Sequence, residues 1–149
     1  MTVPSQLLGP VIALVAWTMF MWLWMYATRL PAMRAARMKP DPNAPSGEQM
    51  ASLPPRVRWK ADNYNHLLEQ PILFYVLAIS LVLLGVHSQA ALWWAWAYVV
   101  FRVCHSLLQV LVNKIELRFL LFVLSNVCLF ALTGIAVFAY MRVMSVGAM

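Results

Sequence analysis

Four apolar runs, each long enough to cross a bilayer, alternate with polar stretches along the chain. The first extends from Leu7 to Ala27. It matches the roughly 20 residues needed to cross about 30 Å of hydrocarbon, and no Lys or Arg precedes it, so it reads as a span and not as a cleaved signal. Trp22, Trp24 and Tyr26 stand near its end and Arg29 follows, the order expected where amphipathic rings meet a headgroup layer. A polar connection comes next, running through Pro40-Asp41-Pro42-Asn43-Ala44-Pro45-Ser46-Gly47 and closing on Pro54-Pro55; these residues break helices and form turns. Helical periodicity resumes at Arg56, polar at first and strongly apolar from Leu67 onward. Gly85 to Gln89 is a turn too short for anything but an antiparallel neighbour, and the third run opens on Trp93, Trp94 and Trp96. Asn113 to Glu116 makes the next turn, and the fourth run ends near Tyr140 and Arg142. The pattern predicts an all-α membrane protein, one domain over residues 1–149, with four transmembrane helices in an up-down bundle. Their predicted extents are about 7–28, 56–85, 90–112 and 117–141, with a loop over about 30–55.

Composition agrees: 63% of the residues are hydrophobic and only 11% charged, with a mean hydropathy of +0.73. A soluble domain carries about twice that charge. The net charge of +6 is concentrated. Arg29, Arg34, Arg37, Lys39, Arg56, Arg58 and Lys60 flank the first loop, Lys114 and Arg118 flank the third, and the opposite side has Arg142 alone. The positive-inside rule then puts the first and third loops in the cytoplasm and both termini outside, in the inner membrane if the cell is bacterial. The cations flank apolar spans and form no stripe on a folded face, which argues against a nucleic-acid surface. Cys104 and Cys128 lie inside apolar runs, without a zinc spacing or a disulfide framework, and read as small buried residues; no metal site is expected.

Polar residues inside the spans carry the chemistry. Residues three, four and seven apart share a helical face, which aligns Arg58, Asp62, Asn65 and Glu69 on the second helix. Arg102, His105, Gln109 and Asn113 align on the third, and Arg118, Ser125 and Asn126 lie near one side of the fourth. All three stripes occupy the half of the bundle next to the cation-rich loops. Arg102 lies roughly 15 Å from the end of its helix, near mid-bilayer, where an unpaired Arg costs about 2.5–3.5 kcal/mol. Glu69 is the one carboxylate inside the apolar spans, so a Glu69–Arg102 pair is expected, with Asn65 and His105 as further hydrogen-bonding neighbours. Two readings stay open. The pair fixes helix packing, or it floors an anion-receptive cavity with Arg58, Lys60 and Arg118 around the mouth. Pro71 removes the helical donor to the Leu67 carbonyl and is expected to bend the second helix there.

In these residues the chain resembles the membrane-associated proteins in eicosanoid and glutathione metabolism, the MAPEG family. Asn65, Glu69, Pro71 and Phe74 resemble its second-helix pattern, and Arg102-Val103-Cys104-His105 its third-helix Arg-x-x-His. Arg118 falls where glutathione-binding members carry an arginine. The resemblance implies a homotrimer of four-helix subunits that binds glutathione between neighbours, with Arg58, Asn65, Glu69, Arg102, His105 and Arg118 as the binding residues. It also implies attack of the glutathione thiolate on a lipophilic small molecule arriving from the bilayer, with Arg118 stabilising the thiolate. Departures bear on the activity. Glu69 is closer to Pro71 than its counterpart in the eicosanoid enzymes, Gln109 and Phe122 stand where tyrosines are common, and Phe119 replaces a serine important in prostaglandin synthesis. A bacterial-type glutathione transferase or peroxidase is the leading expectation. A non-catalytic lipid-binding or scaffold member is the rival. A small multidrug antiporter would need a membrane-embedded carboxylate in its first helix, and none lies between Leu7 and Ala27.

Overall fold

A computed structural model describes residues 3–39, 41–45 and 47–147. It contains helices α1 (Val3–Gln6), α2 (Leu8–Ala35), α3 (Glu48–Ala51), α4 (Pro55–Glu69), α5 (Pro71–Leu83), α6 (Gln89–Leu111) and α7 (Ile115–Gly147), with no strand among the described residues. Four helical segments are long and apolar enough to span a membrane: α2, α4 with α5, α6, and α7 up to Ser145. The protein is an integral multi-pass membrane protein, an up-down bundle of four spans in contact with the bilayer.

The first span runs past its expected end near residue 28 to Ala35, carrying Pro31 inside the helix. One proline removes one donor, and the remaining ladder is intact enough to continue. The helix stops at Arg37, whose φ of 49° turns the chain left-handed while the Met38 N–H reaches back to the Met33 carbonyl at 3.1 Å. At the far end of α5, Gly85 (φ 64°) does the same with less strain, and the Val86 N–H closes on the Leu81 carbonyl at 3.0 Å. The first loop is folded back on itself. The Gln49 amide donates to the Lys39 carbonyl at 3.0 Å and accepts from the Asp41 N–H at 3.2 Å, and Asp41 Oδ1 caps the Asn43 N–H at 2.9 Å. Pro40 and Ser46, two of the expected turn formers, lie outside the described residues.

The core is a seam between spans: Leu14 and Met21 of α2, Phe74, Ala78 and Leu81 of α5, Ala91, Ala95 and Tyr98 of α6, and Leu132 of α7. Phe74 stacks on Tyr98 with centroids 4.5 Å apart. Lipid tails are as apolar as these side chains, so the seam is held by close packing and polar contacts more than by water exclusion; Ala78, Ala91 and Ala95 permit the approach. Large apolar residues such as Leu23, Ile72, Leu83, Trp93 and Phe130 point outward, as lipid contact requires. Cys128 is buried, but Cys104 is exposed, contrary to expectation: it lies off the face of α6 on which Arg102, His105, Ser106 and Gln109 turn inward.

Candidate functional site

Pro71 sets up the site. It has no N–H to offer the Leu67 carbonyl, so the helical hydrogen-bond ladder is interrupted there, α4 ending at Glu69 and α5 starting at Pro71. Gln70 is thereby delivered to the interior, where its Oε1 accepts from Arg102 Nη1 at 2.8 Å and its Nε2 donates to Asn126 Oδ1 on α7. Arg102 is fully buried. Its Nη2 donates to the His66 carbonyl at 3.0 Å, and its Nη1 also approaches His66 Nε2 at 3.4 Å. Two charge-assisted hydrogen bonds, each contributing about 1.5–3 kcal/mol, offset the roughly 2.5–3.5 kcal/mol that an Arg costs at mid-span. One helix turn closer to the cation-rich end, Asn63 Nδ2 donates to Ser106 Oγ at 2.7 Å, a second interhelical polar contact between α4 and α6.

The expected Glu69–Arg102 pair does not form. Glu69 is 74% exposed, its Oε2 3.8 Å from His66 Nδ1, and among the described residues no carboxylate lies within ion-pair distance of Arg102. With the proton on Nδ1 facing Glu69, His66 Nε2 turns its lone pair to Arg102, so the imidazole stands between the two charges as a bridge. The cause is the rotation of α4. Its inward face carries Lys60, Asn63 and Leu67, leaving Arg58, Asp62, Asn65 and Glu69 exposed. Tracing the core positions Leu81, Ala78 and Phe74 backwards at helical spacing leads to Gln70, Leu67, Asn63 and Lys60, so the signal existed in the apolar half of the span. On α6 the expected face is correct, since Arg102, His105 and Gln109 are all buried. Neither Asn65 nor His105 is among the hydrogen-bond partners of Arg102; the His105 ring lies 5.0 Å from that of His66, which does contact Arg102.

Two clefts flank this polar pillar. One, about 450 Å³, is lined by Tyr26 and Arg29 of α2, Met50 and Leu53 of the folded loop, and Arg58 and Asn65 of α4, among others. The loop thus forms part of its wall. Lys60 Nζ, bonded to the Arg56 carbonyl at 2.8 Å, lies over the Trp24 ring at 5.7 Å and ties α4 to α2 beside it. The other cleft, also about 450 Å³, is lined by His66, His105, Ile115, Arg118, Phe119 and Phe122. The six expected binding residues therefore divide. Arg58 and Asn65 share the first cleft and His105 and Arg118 the second, with Arg102 buried between and Glu69 on the outer surface. In the sequence Arg29 reads only as the cation that ends the first span, and nothing there marks it as a cleft residue.

Arg118 is positioned by the turn before it. Asn113 adopts φ 56°, a conformation Asn tolerates, and its N–H closes on the Leu108 carbonyl at 2.6 Å, ending α6. Its Oδ1 then accepts from Arg118 Nη1 one turn into α7, while Arg118 Nε is buried with no hydrogen-bond partner. Asn113→Ala is expected to lower stability by about 1–2 kcal/mol through the left-handed turn, and Asn113→Gly by less, although both release Arg118. Thermal unfolding in detergent would measure the difference; equal losses would place the cost in the side-chain bond instead.

Comparison with curated proteins and with solved structures gives no match. The family comparison does: the MAPEG family model matches residues 7–138, from the first span into the last. That match takes in both clefts, the pillar between them, the first three spans and most of the fourth, and the chain belongs to the MAPEG family, which includes glutathione transferases and related proteins.

Proposed function

We propose that the protein binds glutathione at the cation-rich end of the bundle and joins its thiolate to lipophilic electrophiles that arrive through the bilayer. The observation that carries this reading is the surplus of guanidinium groups around two open clefts. Arg29 and Arg58 line one and Arg118 lines the other, while the nearby Arg102 keeps its charge, hydrogen-bonded to an amide, a carbonyl and an imidazole and paired with no carboxylate among the described residues. Glutathione carries two carboxylates, and bidentate arginines suit them. Its ammonium group has Asp62 and Glu69 on the exposed face of α4 as partners. The buried, unpartnered Nε of Arg118 is a donor without an acceptor, which fits a ligand anion in the second cleft.

When bound, glutathione supplies the sulfur nucleophile. Arg118 holds positive charge beside the sulfur, favouring its ionised form at neutral pH. Phe119 and Phe122 wall the same cleft, excluding water and offering an apolar surface to the second substrate. Assembly as a homotrimer belongs to the same proposal. Glu69 is exposed only three residues before the lipid-facing Ile72, a depth at which a carboxylate facing acyl chains is unfavourable; a neighbouring copy would cover it and close the two half-clefts into one site. The cation-rich end is cytoplasmic in this reading.

A second reading has one specific observation in its favour. Phenylalanines, not hydroxyl side chains, surround Arg118 in its cleft, and this suits a non-catalytic lipid-binding or scaffold role. Calorimetric titration of the purified protein with glutathione separates the two. Binding in the millimolar range or tighter, with ultraviolet absorbance of the thiolate, supports the transferase; no heat at millimolar glutathione would sink it.

A further inference from the structure

Another cavity lies at the other end of the bundle, away from both clefts. It encloses about 760 Å³ between the α5–α6 turn, where Gly85, His87 and Ser88 line it, and the last turns of α7. On α7 it follows one face, through Ala131, Gly134, Ile135, Phe138 and Arg142. From Ala131 to Arg142 that face extends roughly 16 Å along the helix. It runs from an apolar, small-residue floor inside the span to a guanidinium at the membrane surface. Such a volume is in the range of small-ligand sites.

No side-chain carboxylate stands at its end of the bundle. All five side-chain carboxylates, Asp41, Glu48, Asp62, Glu69 and Glu116, belong to the opposite end of the bundle, and Arg142 is the one Lys or Arg at its own end. Arg142 rests over the Phe138 ring at 4.6 Å, which fixes its carbon stem along the groove wall. Beside it stand the His87 ring and the Ser88 hydroxyl, whose oxygen accepts the Ala91 N–H at 3.2 Å and whose hydrogen is left for an acceptor. Below, the lining residues Ala131, Gly134 and Ile135 carry no polar side chain, and there is open space beside Gly134: a Cβ built there meets no heavy atom within 4 Å.

We propose that this cavity binds an anionic acyl lipid, its oxyanion on Arg142 and Ser88 and its chain laid along Ala131, Gly134 and Ile135. The shared chemistry is an oxyanion above a hydrocarbon tail, supplied by an anionic phospholipid or a free fatty acid. A zwitterionic lipid fits less well, because its ammonium finds no side-chain carboxylate at this end. This site lies apart from the proposed glutathione clefts and does not depend on that reading.

The test is native mass spectrometry of the delipidated, detergent-purified protein titrated with phosphatidylglycerol, oleate, phosphatidylcholine and inorganic phosphate. Phosphatidylglycerol, oleate or both should be retained about fivefold better than phosphatidylcholine, with phosphate alone not retained. Phosphatidylglycerol alone would assign a phospholipid headgroup, and oleate alone a carboxylate. Arg142→Gln should abolish the preference, Arg142→Lys should keep most of it, and added salt should weaken it. Gly134→Leu fills the groove without a clash at Cβ and replaces a poor helix former, so it should lower retention of every tailed ligand several-fold at unchanged helix content. Equal retention of the anionic and zwitterionic lipids by the wild type would overturn the proposal. So would retention unchanged in both Arg142→Gln and Gly134→Leu, or a change in copy number with Gly134→Leu, which would make the groove a contact between chains.

Discussion

Arg102→Ala is expected to be the most destabilising single substitution in the chain, at about 3–5 kcal/mol. The change leaves a cavity where a large, fully buried side chain stood, and strips the Gln70 Oε1 and the His66 carbonyl of their donor. The cavity and the bare acceptors together outweigh the relief of the buried charge, about 2.5–3.5 kcal/mol, and the loss of about 3–5 kcal/mol is the net one. Arg102→Met keeps most of the volume and should cost roughly 1–3 kcal/mol, mainly for the two bare acceptors. Double-mutant cycles built on the Met variant locate the partner. With Gln70→Leu the losses should be non-additive by about 0.5–3 kcal/mol, since the two side chains share a hydrogen bond. With Glu69→Gln they should add within about 0.5 kcal/mol, because His66 separates the charges. Reversible unfolding in mixed micelles gives the numbers. Strong coupling to Glu69 and none to Gln70 would mean that the assembled protein rebuilds this core.

Arg118→Ala should reduce glutathione turnover at neutral pH by about 10–1000-fold, if the transferase reading holds. A cation within a few ångströms of a thiolate lowers the thiol pKa by about 1–3 units. The sign is fixed by which form carries charge: the guanidinium favours the thiolate, so its loss raises the thiol pKa. The rising limb of the activity profile should then shift to higher pH by the same interval, with activity partly recovered in alkaline buffer. Arg118→Lys keeps the charge but not the bond geometry to Asn113, and should retain an intermediate rate with a smaller shift. A purely structural role for Arg118 would lower the rate at every pH and leave the profile where it was. Glutathione binding should weaken less than turnover, because Arg29 and Arg58 remain.

The spans were readable because the bilayer imposes a local requirement. A helix that crosses hydrocarbon must satisfy its own backbone and present some 20 apolar residues, so each run announces itself without reference to its neighbours. Short turns at Gly85–Gln89 and Asn113–Glu116 made the up-down order readable too. Depth was equally legible: Arg102, His105 and Gln109 on one helix and the polar start of another had to meet at the cation-rich end, and His105 and Gln109 do turn inward beside Arg102.

Rotation about a helix axis was harder. Between Arg58 and Gln70 every face of α4 carries polar residues, so no amphipathic contrast says which one points inward. Coulomb attraction made Glu69 the natural choice for Arg102. Gln70 sits one residue, or about 100°, away, and the phase inherited from Phe74, Ala78 and Leu81 decides for it. The sequence by itself thus determined the number of spans, their order, the family resemblance and the end of the bundle where the cations gather, all consequences of local composition against a fixed bilayer thickness. Only the tertiary structure decided that a neutral amide and a histidine hold the buried arginine, that the candidate binding residues divide between two clefts, and that Arg142 crowns a groove at the far end. Those depend on helix phase and on packing between distant segments, which no single segment encodes.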